Sequence, residues 1–428
     1  MTVIENSAIE ERIYKYKLDN GLTVFIMPKP GYTKQFAIYA TNYGSNDIKF
    51  LSGKHREPIE VPCGIAHFLE HKLFEEQGGS IFERFSALGA QANAFTNFNM
   101  TAYLFSSTDK FYDCLELLLG FVNRPYFTDE NVEKEKGIIA QEIRMYEDNP
   151  AWRVYFNLLG ALYKNHPVKN DIAGTVESIT GITKEQLYLC YETFYHPDNM
   201  AIFIIGDIDK EQVIKTVKRS FKDKNMSRRG DIKRIYPDEP MDVAQPLVKQ
   251  QLAVAIPMFY IGFKDSDTGM SGNKLMKKDI VTGVLLNMLI GKSSDTYQSL
   301  YKDGLINATF EKDYTGEIHY GFSLMGGESQ RPLKVQDRIM EAINNYKQSG
   351  LNVNDLDRVK RKMLGDFLMS LNRIDGIASA YIAATFKDIN LLDYPKVLDD
   401  VKISDVEERL RQHFDEKYCA ISIIEPKK

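Results

Sequence analysis

Three residues suited to metal-dependent hydrolysis lie within five positions: His67, Glu70 and His71, in the stretch GIAHFLEHKLFEE. An α-helix turns about 100° per residue, so His71 comes within roughly 40° of His67, one turn further on. Glu70 falls roughly 60° to the other side of His67. Two imidazoles at i and i+4 can share one tetrahedral zinc ion. A carboxylate beside them can hold a water molecule and take its proton, the task of a general base. The order is His-x-x-Glu-His, the inverse of His-Glu-x-x-His. The alternative is a pair of histidines on the wet face of an amphipathic helix. Ile65, Ala66, Phe68, Leu69 and Leu73 oppose it. A helix this apolar is buried, and buried polar side chains need partners.

A catalytic zinc site takes three protein ligands and keeps a fourth position open. The chain has seven histidines, and the other five are scattered, so a carboxylate is the expected third ligand. The segment NVEKEKGIIAQEIRMYEDN predicts a helix carrying Glu133, Glu135, Glu142 and Glu147. Ile138 and Ile139 are expected to mark its buried face. Glu142 follows them by four and three residues, and Glu135 precedes them by three and four, so both carboxylates share the apolar stripe. Glu133 and Glu147 point away. Ionisable groups on a buried face are costly unless paired or metal-bound, so matching by Lys or Arg is the alternative to ligation.

These helices must be held by a larger frame. Strand-like runs open each half of the chain. Tyr14–Met27 alternates around an Asn20-Gly21 turn, a hairpin signal, and Phe36–Tyr43 follows. Gln251–Phe263 plays the same part later. Each half then shows a helix, a glycine and a strand: FSALGAQANAFT in one, LYKDGLINATFE in the other. Each closes on a helix followed by an apolar strand. ITKEQLYLCYETF leads to AIFIIG, and ISDVEERLRQHF leads to AISIIE. Three matches in the same order argue for duplication. The expected boundaries are residues 1–222 for a zinc-bearing half, 223–245 for a polar, proline-containing linker, and 246–428 for a second half without the motif. Strands followed by helices in each half predict an α+β fold of two homologous α/β-sandwich domains. Each should have a mixed or antiparallel sheet with helices packed on one face.

The 428 residues are long enough for two to four domains, and 43% hydrophobic with 26% charged residues is ordinary for a globular chain. A formal net charge of −5 excludes the basic footprint of a nucleic-acid binder; the basic pieces near Arg228 and Lys233 are short. No apolar run approaches the roughly 20 residues that cross a bilayer. The opening MTVIENSAIEERIYKY has neither a basic nor an apolar signal region. Cys63, Cys114, Cys190 and Cys419 lie far apart, without a Cys-x-x-Cys pair. A cytoplasmic chain with reduced thiols is the expectation. Cys63, near the motif, is read as a small apolar residue rather than a ligand.

HFLEH followed at a distance by EKGIIAQE resembles the pitrilysin or insulinase family of zinc peptidases. The resemblance spans most of the chain. It extends to Gly44–Ser45, NAFTNFNMTAYLF, DIAGTVESI and YHPDNMAIFIIGDID. It implies a zinc endopeptidase with one Zn2+ on His67, His71 and Glu142, and Glu70 as catalytic base. Glu135, seven residues before Glu142, would then hold a ligand histidine in orientation. It also implies that a peptide substrate adds as a strand at a sheet edge formed by Asn93, Ala94, Phe95 and Thr96. An ordinary core strand is the competing reading of that stretch.

The large members of the family enclose their substrate with four such domains, and this chain has two. Those members carry an Arg and, seven residues later, a Tyr that face the metal from the opposite wall. In LYKDGLINATF the corresponding places fall on Tyr301 and about Asn307, so the pair is missing. VTGVLLNMLIGKSSDTYQSLY, the counterpart of the motif helix, has no histidine. The resemblance therefore implies a dimer. A heterodimer with a homologous zinc-free chain that supplies Arg and Tyr is expected first, and a homodimer second. Neither nucleic acid nor membrane is an expected partner. A scaffold subunit without activity is the alternative function, but such relatives lose ligands that this chain retains.

Overall fold

The computed structural model describes residues 1–6, 10–53, 57–77, 79–222 and 230–427. Residues 223–229, the first part of the expected linker with Arg228, lie outside the described residues.

The first packing unit is built on a seven-stranded sheet. Its order is Thr2–Asn6, Glu11–Lys17, Thr23–Pro28, Met200–Gly206, Gln35–Thr41, Thr101–Ser107 and Gln91–Thr96. All neighbours are antiparallel except Thr23–Pro28 and Met200–Gly206, which run parallel. The hairpin forms as expected: Asn20 Oδ1 accepts from the Leu22 amide in the turn, and Tyr14 pairs with Ile26 beyond it. Met200–Gly206 is buried along its whole length, so both faces of the central sheet are covered rather than one. A continuous apolar run, MAIFIIG, is what such a strand requires. Phe111–Val122 packs on Gln35–Thr41 and Thr101–Ser107. Tyr381, on the helix Ile374–Thr385, meets the rings of Phe25 and Phe203 with centroids 5.1 Å away.

The second unit repeats this plan with five strands in the order Leu247–Leu252, Cys419–Pro426, Met258–Lys264, Gly321–Glu328 and Glu311–Gly316. The directions repeat as well: Leu247–Leu252 and Cys419–Pro426 are parallel, and the other pairs are antiparallel. The expected strand Gln251–Phe263 is two strands separated around Pro257, whose missing N–H and fixed φ suit a break. The helix expected opposite the motif helix is likewise two, Gly272–Ile290 and Asp295–Lys302.

The units do not follow chain order. Unit one comprises Met1–Ile143, Asp171–Tyr236 and Ser370–Phe386; unit two comprises Arg144–Asn170, Pro237–Met369 and Lys387–Lys428. Each half thus lends a helical segment to the other unit. Pro150–Leu162 lies on Met258–Lys264 and Cys419–Pro426, where Val154 joins Leu252 and Ile424 in the core. Apolar periodicity shows that such a helix needs a sheet, but not which one. Part of the expected linker is ordered: Lys233–Arg234 pairs with Lys49–Leu51, and Arg234 Nε donates to Asp47 Oδ1 at 2.7 Å.

Candidate metal centre

The motif sits on the helix Ile65–Leu73, of which only His71 is not buried. The helix starts at Gly64 in a left-handed conformation, φ 87°, against the backbone of Ala173. A Cβ on Gly64 would lie 2.3 Å from the Ala173 oxygen, so only glycine fits both the φ and the contact. Ser178 Oγ donates to the Cys63 oxygen at 2.8 Å. The DIAGTVESI stretch therefore clamps the start of the motif helix, a role that its sequence did not disclose.

The third contributor, Glu142, comes from the helix Asp129–Glu147. Its buried residues are Val132, Glu135, Ile139 and Ile143. Ile138, expected on that face, is 46% exposed; the stripe runs through Ile139 and leaves Ile138 on the flank. With i to i+3 and i+4 spacing, a single residue of an adjacent pair can lie at the centre of the face. Glu135 and Glu142 still turn inward, while Glu133 and Glu147 are exposed.

His67, His71 and Glu142 each present a ligand atom, all within 4.8 Å of one another. Glu142 Oε1 is 3.7 Å from His67 Nε2, and Oε2 is 3.5 Å from His71 Nε2. Tetrahedral zinc with bonds near 2.1 Å sets its ligand atoms roughly 3.4 Å apart. The separations are long for strong hydrogen bonds and fit a shared cation. The donor set of two imidazoles and a carboxylate suits zinc. His71 Nδ1 lies 3.0 Å from Glu135 Oε1. An ionised carboxylate only accepts, so Nδ1 carries the proton. Burial would lower the His71 pKa, but the hydrogen bond to Glu135 and the charges of Glu70, Glu135 and Glu142 raise it, so a metal on Nε2 would take the place of a proton there.

Burial and neighbouring charges set the protonation of these groups. Burial, aided by the charge of His71, pushes the His67 pKa down to about 3, so the ring is neutral at neutral pH, the form in which an imidazole can bind a metal. Burial would lift the Glu135 carboxyl, but the hydrogen bond and charge of His71, with Lys72, hold it below the ordinary range. Glu70 is pushed up to about 7, chiefly by burial, with a hydrogen bond from Thr96 opposing. A base poised near neutrality is effective at neutral pH. Thr96 Oγ1 donates to Glu70 Oε2 at 2.6 Å.

Thr96 ends the edge strand Gln91–Thr96, which among the described residues pairs only with Thr101–Ser107. No residue of this strand is fully buried, so it is not a core strand. Asn93 is exposed, and Ala94 and Phe95 are half-buried. The Thr96 side chain is committed to Glu70. The turn that follows is fixed by Asn97 Oδ1, which accepts from the Asn99 and Met100 amides, and by the Ser45 amide donating to the Asn97 oxygen. This is what Gly44–Ser45 and NAFTNFN do together.

Residues 47–176 match the family model described as insulinase, peptidase family M16, and residues 181–363 match the model described as the M16 inactive domain. An uncharacterized zinc protease of Bacillus subtilis, YmfH, is 41% identical over 99% of both chains. The chain belongs to the M16 peptidase family. It is one of its small two-domain bacterial members. YmxG of B. subtilis, also described as an uncharacterized zinc protease, is 27% identical over 97% of this chain and 98% of its own. An M16-like peptidase from Alicyclobacillus acidocaldarius superposes with a TM-score of 0.95 at 36% identity, covering 99% of this chain and all of its own. Pitrilysin shares the fold, with a TM-score of 0.77 at 16% identity; this chain covers 46% of it.

The M16 inactive-domain match includes most of the second unit, where the site's position is filled differently. By strand register, Thr96 opposite Thr101 corresponds to Gly316 opposite Gly321. Asp279, of the helix Gly272–Ile290, lies against Gly316, where a Cβ would come within 1.8 Å of its Oδ1. The corresponding strand starts at Glu311, so Asn307 lies in the loop before it; its Nδ2 donates to Glu328 Oε2 at 3.0 Å. Tyr301 is 51% exposed and stacks on Tyr297. None of the four cysteines is in a disulfide, and Cys114, Cys190 and Cys419 are buried. No described helix is long and apolar enough to cross a membrane.

Proposed function

We propose that this chain is a zinc-dependent endopeptidase cleaving unfolded peptides or short polypeptides, with Glu70 as general base. The observation that carries the reading is the meeting of His67, His71 and Glu142 beside buried Glu70. One zinc ion held by those three residues would supply Lewis acidity to a peptide carbonyl and acidify a water molecule. Glu70 takes the proton of the attacking water and passes it to the leaving amine. The Thr96 hydroxyl holds Oε2 and leaves Oε1 for the water. Glu135 keeps the His71 ring in orientation. The free side of Gln91–Thr96 accepts an extended peptide as the next strand, alongside Asn93, Ala94 and Phe95. Strand addition needs an extended backbone, which selects unfolded chains.

The active form in this reading is a dimer. LYKDGLINATF contains no arginine, so the Arg–Tyr wall comes from a homologous zinc-free partner first, or from a second copy. An interface well over about 1,000 Å² would make it stable. Free cysteines support a reducing, cytoplasmic setting. Two measurements test the proposal. Glu70→Gln is expected to keep zinc and fold while losing roughly 10²–10⁴-fold in turnover. Near-normal hydrolysis by that variant removes Glu70 from the mechanism, and a wild type without turnover supports the scaffold reading. Sedimentation of the pure chain, with and without candidate partners, tests the dimer; full activity from a strict monomer overturns it.

A further inference from the structure

Lys72 follows the second histidine of the motif directly and has no exposed surface at all, 0%. Lysine is almost never fully buried unless its ammonium is paired. Its Nζ lies 2.5 Å from Glu75 Oε2 and 3.6 Å from Glu135 Oε2. Glu135 is itself 5% exposed, and its other oxygen takes the His71 Nδ1 proton at 3.0 Å. The two oxygens of one buried carboxylate thus join a candidate metal ligand to a buried ammonium. Successive helical residues diverge by about 100°, so His71 and Lys72 leave their helix on different faces. They converge only because Glu135, from the second helix, reaches between them.

Glu135 alone could rotate about its side-chain torsions, and the ring orientation of His71 would follow. The ammonium limits that freedom, because its charge 3.6 Å away attracts Oε2 in a site shielded from water. It also compensates a negative charge that burial would otherwise penalise. Glu75, whose side chain is 34% exposed, anchors the ammonium at its wetter end. We propose that Lys72 is a positioning residue of the metal centre, acting on His71 through Glu135. This inference rests on the zinc reading above.

The test uses the full-length protein and measures its zinc dissociation constant by chelator competition. The unfolding midpoint of the metal-free protein is followed in parallel. Lys72→Met keeps the stem and removes the charge. It is expected to weaken zinc binding about 10–100-fold, the usual effect of losing an outer partner. Glu135→Gln is expected to do the same. The double variant is the decisive measurement. If Lys72 acts through Glu135, Lys72→Met in the Glu135→Gln background adds less than threefold further loss. A purely structural lysine shifts the metal-free midpoint but gives multiplicative losses in zinc binding, and that result overturns the proposal. So does a Lys72→Met protein that binds zinc within twofold of wild type. Lys72→Gln, which keeps a polar head, takes its place if the Met variant does not fold, with the same outcomes expected. A wild type that binds no zinc refutes the zinc reading itself, a result distinct from either of these.

Discussion

Thr96→Val isolates the contact between the edge strand and the proposed base. Valine keeps the β-branched shape and suits a strand, so the change removes a hydroxyl and little else. That hydroxyl donates to Glu70 Oε2 at 2.6 Å and lies 3.3 Å from Thr101 Oγ1. Thr101 keeps its own bond to the Tyr43 oxygen at 2.9 Å, so the turn should survive. A hydrogen bond to a charged group contributes about 1.5–3 kcal/mol. If that sum orients Glu70 in the transition state, kcat falls roughly 10- to 150-fold. The assay is steady-state cleavage of a quenched fluorescent peptide that the wild type hydrolyses, with zinc content measured on each preparation. Thr96→Ser should restore most of the loss. A residue that mainly contacts substrate gives a different signature, a raised KM with kcat unchanged. A Val variant with full zinc content and kcat within twofold of wild type would refute the reasoning.

Glu142→Gln should lose zinc retention on dialysis against a chelator, whereas exposed Glu147→Gln should match wild type by metal analysis. In the second unit, Asp265 is fully buried and bound by Arg409 at 3.1 and 2.7 Å. Asp265→Asn leaves a guanidinium uncompensated and should cost about 3–5 kcal/mol in urea unfolding. Burial would raise the Asp265 carboxyl, but Arg409, with His413 and Lys278, holds it well below the ordinary range. Its stabilisation is therefore present above about pH 4 and lost at lower pH, so the deficit of the variant should shrink on acidification. Asp279 has the opposite sign. Burial pushes it up to about 7, so the folded state holds a proton that the unfolded chain releases near pH 4. Stability should fall as pH rises from about 4 to 7, and Asp279→Asn should flatten that slope.

The sequence determined the local chemistry. His67, Glu70 and His71 share one helix, and helical geometry alone brings their side chains to one region. The stripe containing Glu135 and Glu142 was legible for the same reason, although neighbouring Ile138 turned out to be exposed. Repetition of helix, glycine and strand exposed the duplication, because each unit needs the same hydrophobic faces in the same order. The tertiary structure decided everything that depends on partners distant in the chain. Periodicity could not say that Pro150–Leu162 and Ile374–Thr385 each pack on the sheet formed mainly by the other half of the chain, since any apolar stripe fits many sheets. It could not separate a core strand from an edge strand in Gln91–Thr96, which depends on what lies beside it. Nor could spacing show that Thr96 turns to Glu70, or that Lys72 is buried against Glu135. A hydroxyl or an ammonium carries no periodic signal of its own. Its role is set by whichever charge the fold places within about 3 to 4 Å of it.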